Sequence, residues 1–252
     1  MRPTGWGRDT PDVALFTANF GGIDEVKPFP RHPGVDAFYY TDEGTLARAA
    51  SAAVASWTRV VMPGFPGHAL GPRLRSRYVK HQIHRLPEAP PCRWLVWADS
   101  SFLFHESAFL VQAAARLRRL PPHRRLLFIP HPDRQTVRQE YEFIRREIEH
   151  GNAYLRSRYG ADDMDGQMRA YEDSGWNLEA TLWCGGFWMV ENSEVINRCW
   201  DRWWEHTLRW GTMDQLSLPV LLEDCGLEPE AFGVDLLANA FFVHRAHRPP
   251  NL

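Results

Sequence analysis

Arg93-Trp94-Leu95-Val96-Trp97-Ala98-Asp99-Ser100-Ser101 is the stretch from which the fold is read. Its apolar run stops at an acid followed by two hydroxyls. A continuous apolar run closed by a polar turn is the pattern of a strand buried on both faces, as in a mostly parallel sheet. In open α/β sheets, ligands sit outside the carboxyl ends of the strands. Asp99 therefore stands where such a fold places a metal ion or a nucleotide.

The pattern recurs on both sides. Residues 13–17 (Val-Ala-Leu-Phe-Thr) predict a first strand that runs into Ala18-Asn19-Phe20-Gly21-Gly22. A small, glycine-containing loop at a strand end lets a base or ribose come close, which makes Thr17 and Asn19 candidates. The loop is not GxGxxG, and a plain strand and turn is the competing reading. Residues 36–42 and 59–62 predict two more strands, with an Ala-rich helix over 45–57 between them and a Gly/Pro-rich loop after. Strands separated by helical segments argue for βαβ units.

The densest basic segment, residues 73–85, immediately precedes the Asp99 strand. Arg77, Lys80, His81 and His84 fall on one helical face that could hold a diphosphate, while Arg73 and Arg75 are expected on the solvated side. Arg outnumbers Lys by 27 to 2. Arginine clusters therefore carry no weight by count, whereas Lys80 is harder to dismiss.

Further along, residues 102–120 predict a helix ended by Pro121-Pro122, 126–129 a strand, and 135–150 an amphipathic helix stopped by Gly151. Residues 152–174 complete a helical insert around 135–175 within a single domain over 1–252. Residues 182–190 predict a strand interrupted by Gly185-Gly186, the mark of a bulge or of the close approach of a ligand. Ile196, Trp200, Trp203, Thr207 and Trp210 form one stripe, which at helical spacing is core rather than a sugar platform. The next helix carries Pro219, expected in its first turn. Residues 241–247 predict a short strand that ends in His244 and His247.

Composition narrows the classes. The chain has 252 residues, 44% hydrophobic and 24% charged, with a formal charge of −2. That is ordinary for a soluble globular protein and argues against nucleic acid as a partner. Cys92, Cys184, Cys199 and Cys225 are scattered, which suits reduced thiols rather than a disulfide frame or zinc site. No stretch approaches the roughly 18 apolar residues of a transmembrane segment, so a cytoplasmic protein is expected.

Taken in order, the motifs resemble glycosyltransferases of the GT-A fold, an α/β Rossmann-like architecture with a mixed, mostly parallel sheet flanked by helices. They resemble most the glycosyltransferase-like domain of plant mucilage and pectin biosynthesis proteins and their bacterial relatives. The resemblance covers residues 75–222. It rests on Arg77-x-x-Lys80 with His84, Trp97-Ala98-Asp99-Ser100, His131-Pro132-Asp133-Arg134 with Glu140, and Gln167-x-x-x-Tyr171 with Gly175. Trp203-Trp204-Glu205 and Asp214-Gln215-Leu216-Ser217 complete it.

The resemblance implies transfer of a sugar from a nucleoside-diphosphate sugar donor to a glycan or other hydroxyl acceptor, in polysaccharide or glycoconjugate synthesis. It implies that Asp99 and Ser101 occupy the positions of the family's D-x-D segment, which holds Mn²⁺ or Mg²⁺ and the donor's ribose. Here the second acid is a serine. His244 or His247 looks like the histidine that completes the metal shell; a surface or capping histidine is the other reading of either. Arg77 and Lys80 resemble the pair that neutralises the leaving diphosphate. Gly185 and Gly186, with Gln215, resemble the loop that approaches donor or acceptor sugar. Asp214 stands where inverting members place a general base, with helix N-cap as an equal alternative. Two other classes fit the same residues: a non-catalytic nucleotide- or glycan-binding module, favoured by the missing acid, and a nucleotidyltransferase. The latter is expected to carry a basic loop after the first strand, and residues 18–22 have no basic residue.

Overall fold

The computed structural model describes residues 12–65 and 70–245. The chain opens with β1 (Val13–Asn19), β2 (Val35–Thr41), α1 (Glu43–Leu46), α2 (Ser51–Ala55) and β3 (Arg59–Val61). It continues through α3 (Pro72–Gln82), β4 (Trp94–Ala98), β5 (Phe102–Phe104), α4 (Ala108–Leu117) and β6 (Leu126–Pro130). Three helices follow: α5 (Val137–Glu149), α6 (Ala153–Tyr159) and α7 (Met164–Asp173). The last elements are β7 (Trp183–Glu191), α8 (Glu194–Trp210), α9 (Asp214–Asp224), β8 (Glu230–Ala231) and β9 (Phe242–His244).

Seven strands form one sheet in the order β3-β2-β1-β4-β7-β6-β8, while β5 and β9 pair as a separate ribbon. The β1–β2, β2–β3, β1–β4 and β6–β8 pairs are parallel; β7 runs antiparallel between β4 and β6. This is the mixed, mostly parallel, helix-flanked α/β sheet of GT-A-like, Rossmann-like type expected from the sequence. Both faces are buried, which is why the strands read as unbroken apolar runs. Ala14, Phe16, Leu95, Trp97, Trp188 and Val190 face one core with Trp200 and Trp203 of α8. Val13, Leu15, Val96, Phe187 and Met189 face the other with Phe109 and Leu110 of α4. Trp200 and Trp203 are 2% and 1% exposed and belong to the core with Ile196 and Thr207, while Trp210 at the end of the stripe is half-buried. Truncating Trp200 or Trp203 to alanine would cost about 3–5 kcal/mol.

Several local expectations are corrected. Residues 45–57 form two short helices broken at Ala50, whose backbone is extended. Contacts at both ends override the alanine propensity: Thr45 Oγ1 is tied to Asp42, and Trp57 Nε1 donates to the Lys27 carbonyl at 3.0 Å. Residues 102–104 are strand β5 rather than the start of a helix, because they pair with β9. Pro219 is the sixth residue of α9, beyond its first turn, in a helix buried from Leu216 to Leu222. Tertiary packing there outweighs the missing N–H. His247 lies outside the described residues.

Candidate functional site

From β1 the chain steps one way to β2 and β3, and the other way to β4 and beyond. The sheet therefore changes direction between β1 and β4, and a crevice at such a switch point is where open α/β sheets take ligands. A cavity of about 680 Å³ opens there, lined by Asn19, Gly21, Gly22 and Asp24 after β1 and by Trp97, Asp99 and Ser100 at β4. Ser76, Arg73 and Arg77 of α3, Arg48, and Tyr154, Ser157 and Arg158 of α6 close its other walls.

The loop after β1 is built by side chains rather than by a phosphate-type glycine turn. Gly21 and Gly22 have φ of 72° and 64°, the left-handed region glycine tolerates. Their N–H groups donate to Asp42 Oδ2 at 2.8 Å and Thr45 Oγ1 at 2.9 Å. Asn19 Nδ2 donates to the Asp24 carbonyl at 2.7 Å and to Tyr39 Oη at 2.9 Å, so this amide is used to shape the loop. Ser100 Oγ donates to Asp24, and Lys27 Nζ donates to the Ser100 carbonyl at 2.8 Å. These bonds latch the β1 loop onto the turn after Asp99.

Asp99 faces the cavity with one carboxylate oxygen engaged: Oδ1 accepts from Trp97 Nε1 at 2.8 Å. Its N–H donates to the Gly186 carbonyl at 2.8 Å. Gly185 and Gly186 lie where the β6–β7 register shifts, between Phe128↔Trp188 and Ile129↔Cys184. A Cβ on Gly186 would lie 3.3 Å from Asp99 Oδ2, and one on Gly185 would lie 3.1 Å from Lys80 Nζ. The bulge is thus present, and among the described residues the space beside the two glycines is taken by protein side chains.

Behind the wall sits a buried charge cluster. Asp214 Oδ2 pairs with Lys80 Nζ and, at 2.9 Å, with Arg77 Nη1. Lys80 is 0% exposed and lies between the rings of Trp97 and Trp203, 5.7 and 5.2 Å from their centroids. Burial pushes the Asp214 carboxyl up, but the Arg77 and Lys80 charges outweigh it and hold the group well below the usual carboxylate range. Asp214 is not the N-cap of α9: that position is Met213, and the carboxylate turns to the cations instead. Its Oδ1 has no partner. His81, stacked on Trp203 at 4.1 Å, is held neutral by burial.

Of the residues singled out from the sequence, Asn19, Arg77 and Asp99 line the cavity. Thr17 and Ser101 do not: both are buried, each with an unpartnered hydroxyl, because strand alternation and the turn after Asp99 point them inward. Lys80, Asp214, Gly185 and Gly186 meet behind the lining, and Gln215 is half-buried next to Asp214. His84 is drawn off by Asp201 at 2.9 Å. His244 pairs with Phe102 across β5–β9, its ring 5.3 Å from the Phe102 ring.

Cavity residues to which the sequence pattern gave no role include Asp24, Arg48, Arg73, Tyr154, Ser157 and Arg158, and Ser100 was read only as part of its motif. Arg73 was expected in solvent, yet it lies under α6, its Nη1 donating to the Arg158 carbonyl and its guanidinium 4.8 Å over the Tyr159 ring. Burial and the adjacent Arg77 charge lower it to about 10. Arg158 Nη1 donates to Tyr154 Oη at 2.7 Å, an i, i+4 pair that was a usable signal.

A divalent ion of the Mg²⁺ or Mn²⁺ kind wants about six oxygen ligands. The cavity lining supplies two carboxylates, Asp99 with Oδ1 engaged by Trp97 and Asp24 engaged by Ser100, and no three His, Cys, Asp or Glu side chains come together among the described residues. By themselves they do not make a divalent-ion site.

Fold and site define an α/β protein with an arginine-walled cavity at the switch point of its sheet. Neither a protein-family model nor a curated protein sequence matches the chain. Among solved structures it is similar to mouse xyloside xylosyltransferase 1 in its apo form, with a TM-score of 0.44 and 7% identity, over 88% of this chain and 85% of that one. No helix among the described residues is long and apolar enough to cross a membrane.

Proposed function

We propose that the chain is a glycosyltransferase that moves a sugar from a nucleoside-diphosphate sugar to a hydroxyl of a glycan or similar acceptor. The observation that carries this reading is the cavity across the ends of β1 and β4, with Asp99 on one wall and cationic α3 on another. In the reaction, the bond from the anomeric carbon to the diphosphate oxygen breaks and its electron pair leaves on the diphosphate. The acceptor oxygen bonds to that carbon, and its proton passes to solvent or to the departing diphosphate. Fixed positive charge beside the departing diphosphate lowers the barrier. Asp99, by its free Oδ2, would accept from donor hydroxyls, and Arg77 would face the phosphates. The test is binding of UDP and GDP by thermal shift, with and without Mn²⁺. Asp99→Asn is expected to weaken the preferred nucleotide by about tenfold, the loss of one charge-assisted hydrogen bond. Unchanged binding would remove Asp99 from the donor site.

One observation favours a second reading, a binding module without catalysis. The carboxylate in the position of a base, Asp214, is pinned by two cations, and a carboxylate held that acidic is a poor base near neutral pH. In our reading its first task is to hold Arg77 and Lys80. Turnover of a nucleotide sugar that is lost in Asp214→Asn, with nucleotide binding intact, would assign it the base role. Nucleotide binding with no transfer or hydrolysis by the wild-type chain would favour the module.

A further inference from the structure

The α3 and α6 walls of the cavity bring together three arginines, of which Arg77 alone has an ion-pair partner among the described residues, Asp214. Arg73 and Arg77 come from successive turns of α3, and Arg158 comes from α6 on the facing wall. Their positions are fixed: Arg73 is bonded to the Arg158 carbonyl and lies on Tyr159, and Arg77 is anchored by Asp214. Between them they keep four buried N–H groups without a partner: Arg73 Nε and Nη2, Arg77 Nε and Arg158 Nε. Asp162, whose charge reaches Arg73, is taken up by Thr212 N–H at 2.8 Å and Thr212 Oγ1 at 3.2 Å, and the charge of Asp99 reaches Arg158 without an ion pair between them. A buried charge left with unmet donors costs several kcal/mol unless an ion supplies the counter-charge. Guanidinium forks match phosphate oxygens two by two, which a carboxylate-poor wall of arginines is suited to exploit.

We propose that Arg73, Arg77 and Arg158 form an oxyanion site that holds a diphosphate without a divalent ion. Here fixed guanidinium charge takes the part that a metal would play, in a cavity whose two carboxylates, Asp24 and Asp99, are each already engaged by a protein donor. Lys80, set back behind the lining, keeps Asp214 in place rather than reaching the anion. The site is built across two segments some 80 residues apart, so α6 is part of it and not mere covering. This deepens the transferase reading, since the group to be stabilised there is the departing diphosphate, but binding itself asks only for the anion.

The test is calorimetric titration of the full chain with inorganic pyrophosphate at low salt, once in EDTA and once in Mn²⁺. Wild type is expected to bind in EDTA, with affinity within about threefold of that in Mn²⁺. Arg73→Gln and Arg158→Gln are each expected to weaken binding at least tenfold, as the loss of a charge-assisted contact implies. Arg156→Gln, exposed on the same helix, should leave it unchanged. Should a glutamine variant melt early, Arg158→Lys keeps the charge without the fork and is expected to bind at an intermediate level. Binding that needs Mn²⁺, or folded Arg73 and Arg158 variants that match wild type, would overturn the site. Metal-independent pyrophosphate binding that no nucleoside diphosphate improves, with no sugar transferred, would uphold the oxyanion site and sink the transferase reading.

Discussion

Asp214→Asn should be among the most destabilising single substitutions in this chain, although it removes no volume. The carboxylate is the partner of a lysine that is 0% exposed and of an arginine whose Nη1 lies 2.9 Å away. With the charge gone, the Lys80 ammonium keeps the more distant charge of Asp99, a neutral amide in place of the carboxylate, and the faces of Trp97 and Trp203 at 5.7 and 5.2 Å. Each such contact returns about 0.5–2 kcal/mol, whereas breaking a buried pair from one side costs about 3–5 kcal/mol. For a chain of this length each kcal/mol is worth about 2–4 °C, so Tm should fall by roughly 6–20 °C at pH 7.5 in a circular-dichroism melt. The pH dependence carries the sign. Burial already lowers Lys80 from 10.5 and Asp214 pushes it back up, so the variant lowers it further. Between that folded value and 10.5 the unfolded chain binds the extra proton, so stability of the variant rises with pH. Wild type gains in the same way only above its own, higher folded value, so the deficit should shrink as pH rises between the two folded Lys80 values, and Lys80→Met in the same background should recover part of it. A variant that melts within 2 °C of wild type, or a deficit that Lys80→Met leaves untouched, would refute the reasoning.

Gly185→Ala tests the same cluster from the backbone side. Its Cβ would lie 3.1 Å from Lys80 Nζ and 3.2 Å from Asp214 Oδ2, two atoms that cannot retreat. A loss of about 1–3 kcal/mol is expected, against no more than about 0.5 kcal/mol for Gly64→Ala, which meets nothing within 4 Å. Equal urea midpoints for the two would show that the cluster yields. Acid should destabilise the fold before its carboxylates titrate. Burial, with Arg134 beside one and Arg202 and Arg209 beside the other, lowers His131 and His206 from 6.5 to about 4, and burial lowers His81 well below 6.5. These groups stay neutral when folded and charge on unfolding, so stability is full above pH 6.5 and is lost as pH falls toward 4. Urea midpoints at pH 7.5, 6 and 5 should decline, with a shallower slope in His206→Gln; a flat series would contradict the burial of these rings.

What the sequence declares is local and periodic. The β4 run, the strand before Asn19, and the face carrying Arg77, Lys80 and His81 are readable because burial on a sheet or helix face repeats every two or 3.6 residues. Position at the ends of β1 and β4 then follows from topology alone. The rest of the cavity is assembled by contacts between distant segments. Arg73 reads as a solvated arginine on its own helix, and becomes a wall residue only because Tyr159 and the Arg158 carbonyl settle on it. Asp24 and Ser100, 76 positions apart, bond to each other with no periodic sign of it. In a chain that uses arginine almost to the exclusion of lysine, composition hides which arginines are buried.

The paired glycines show where that boundary falls. A glycine inside a strand announces that something lies too close for a Cβ, and Gly185-Gly186 bear this out to within 3.1–3.3 Å. The pattern cannot say what that something is, because a substrate and a side chain from another segment exclude a Cβ equally well. Here Lys80, Asp214 and Asp99 fill the space. The glycines thus fit the strand around the charge cluster, and the cluster in turn sets Arg77 on the cavity wall. Between the cavity and this strand stand Asp99, for which Gly186 makes room, and Arg77, which the cluster holds still.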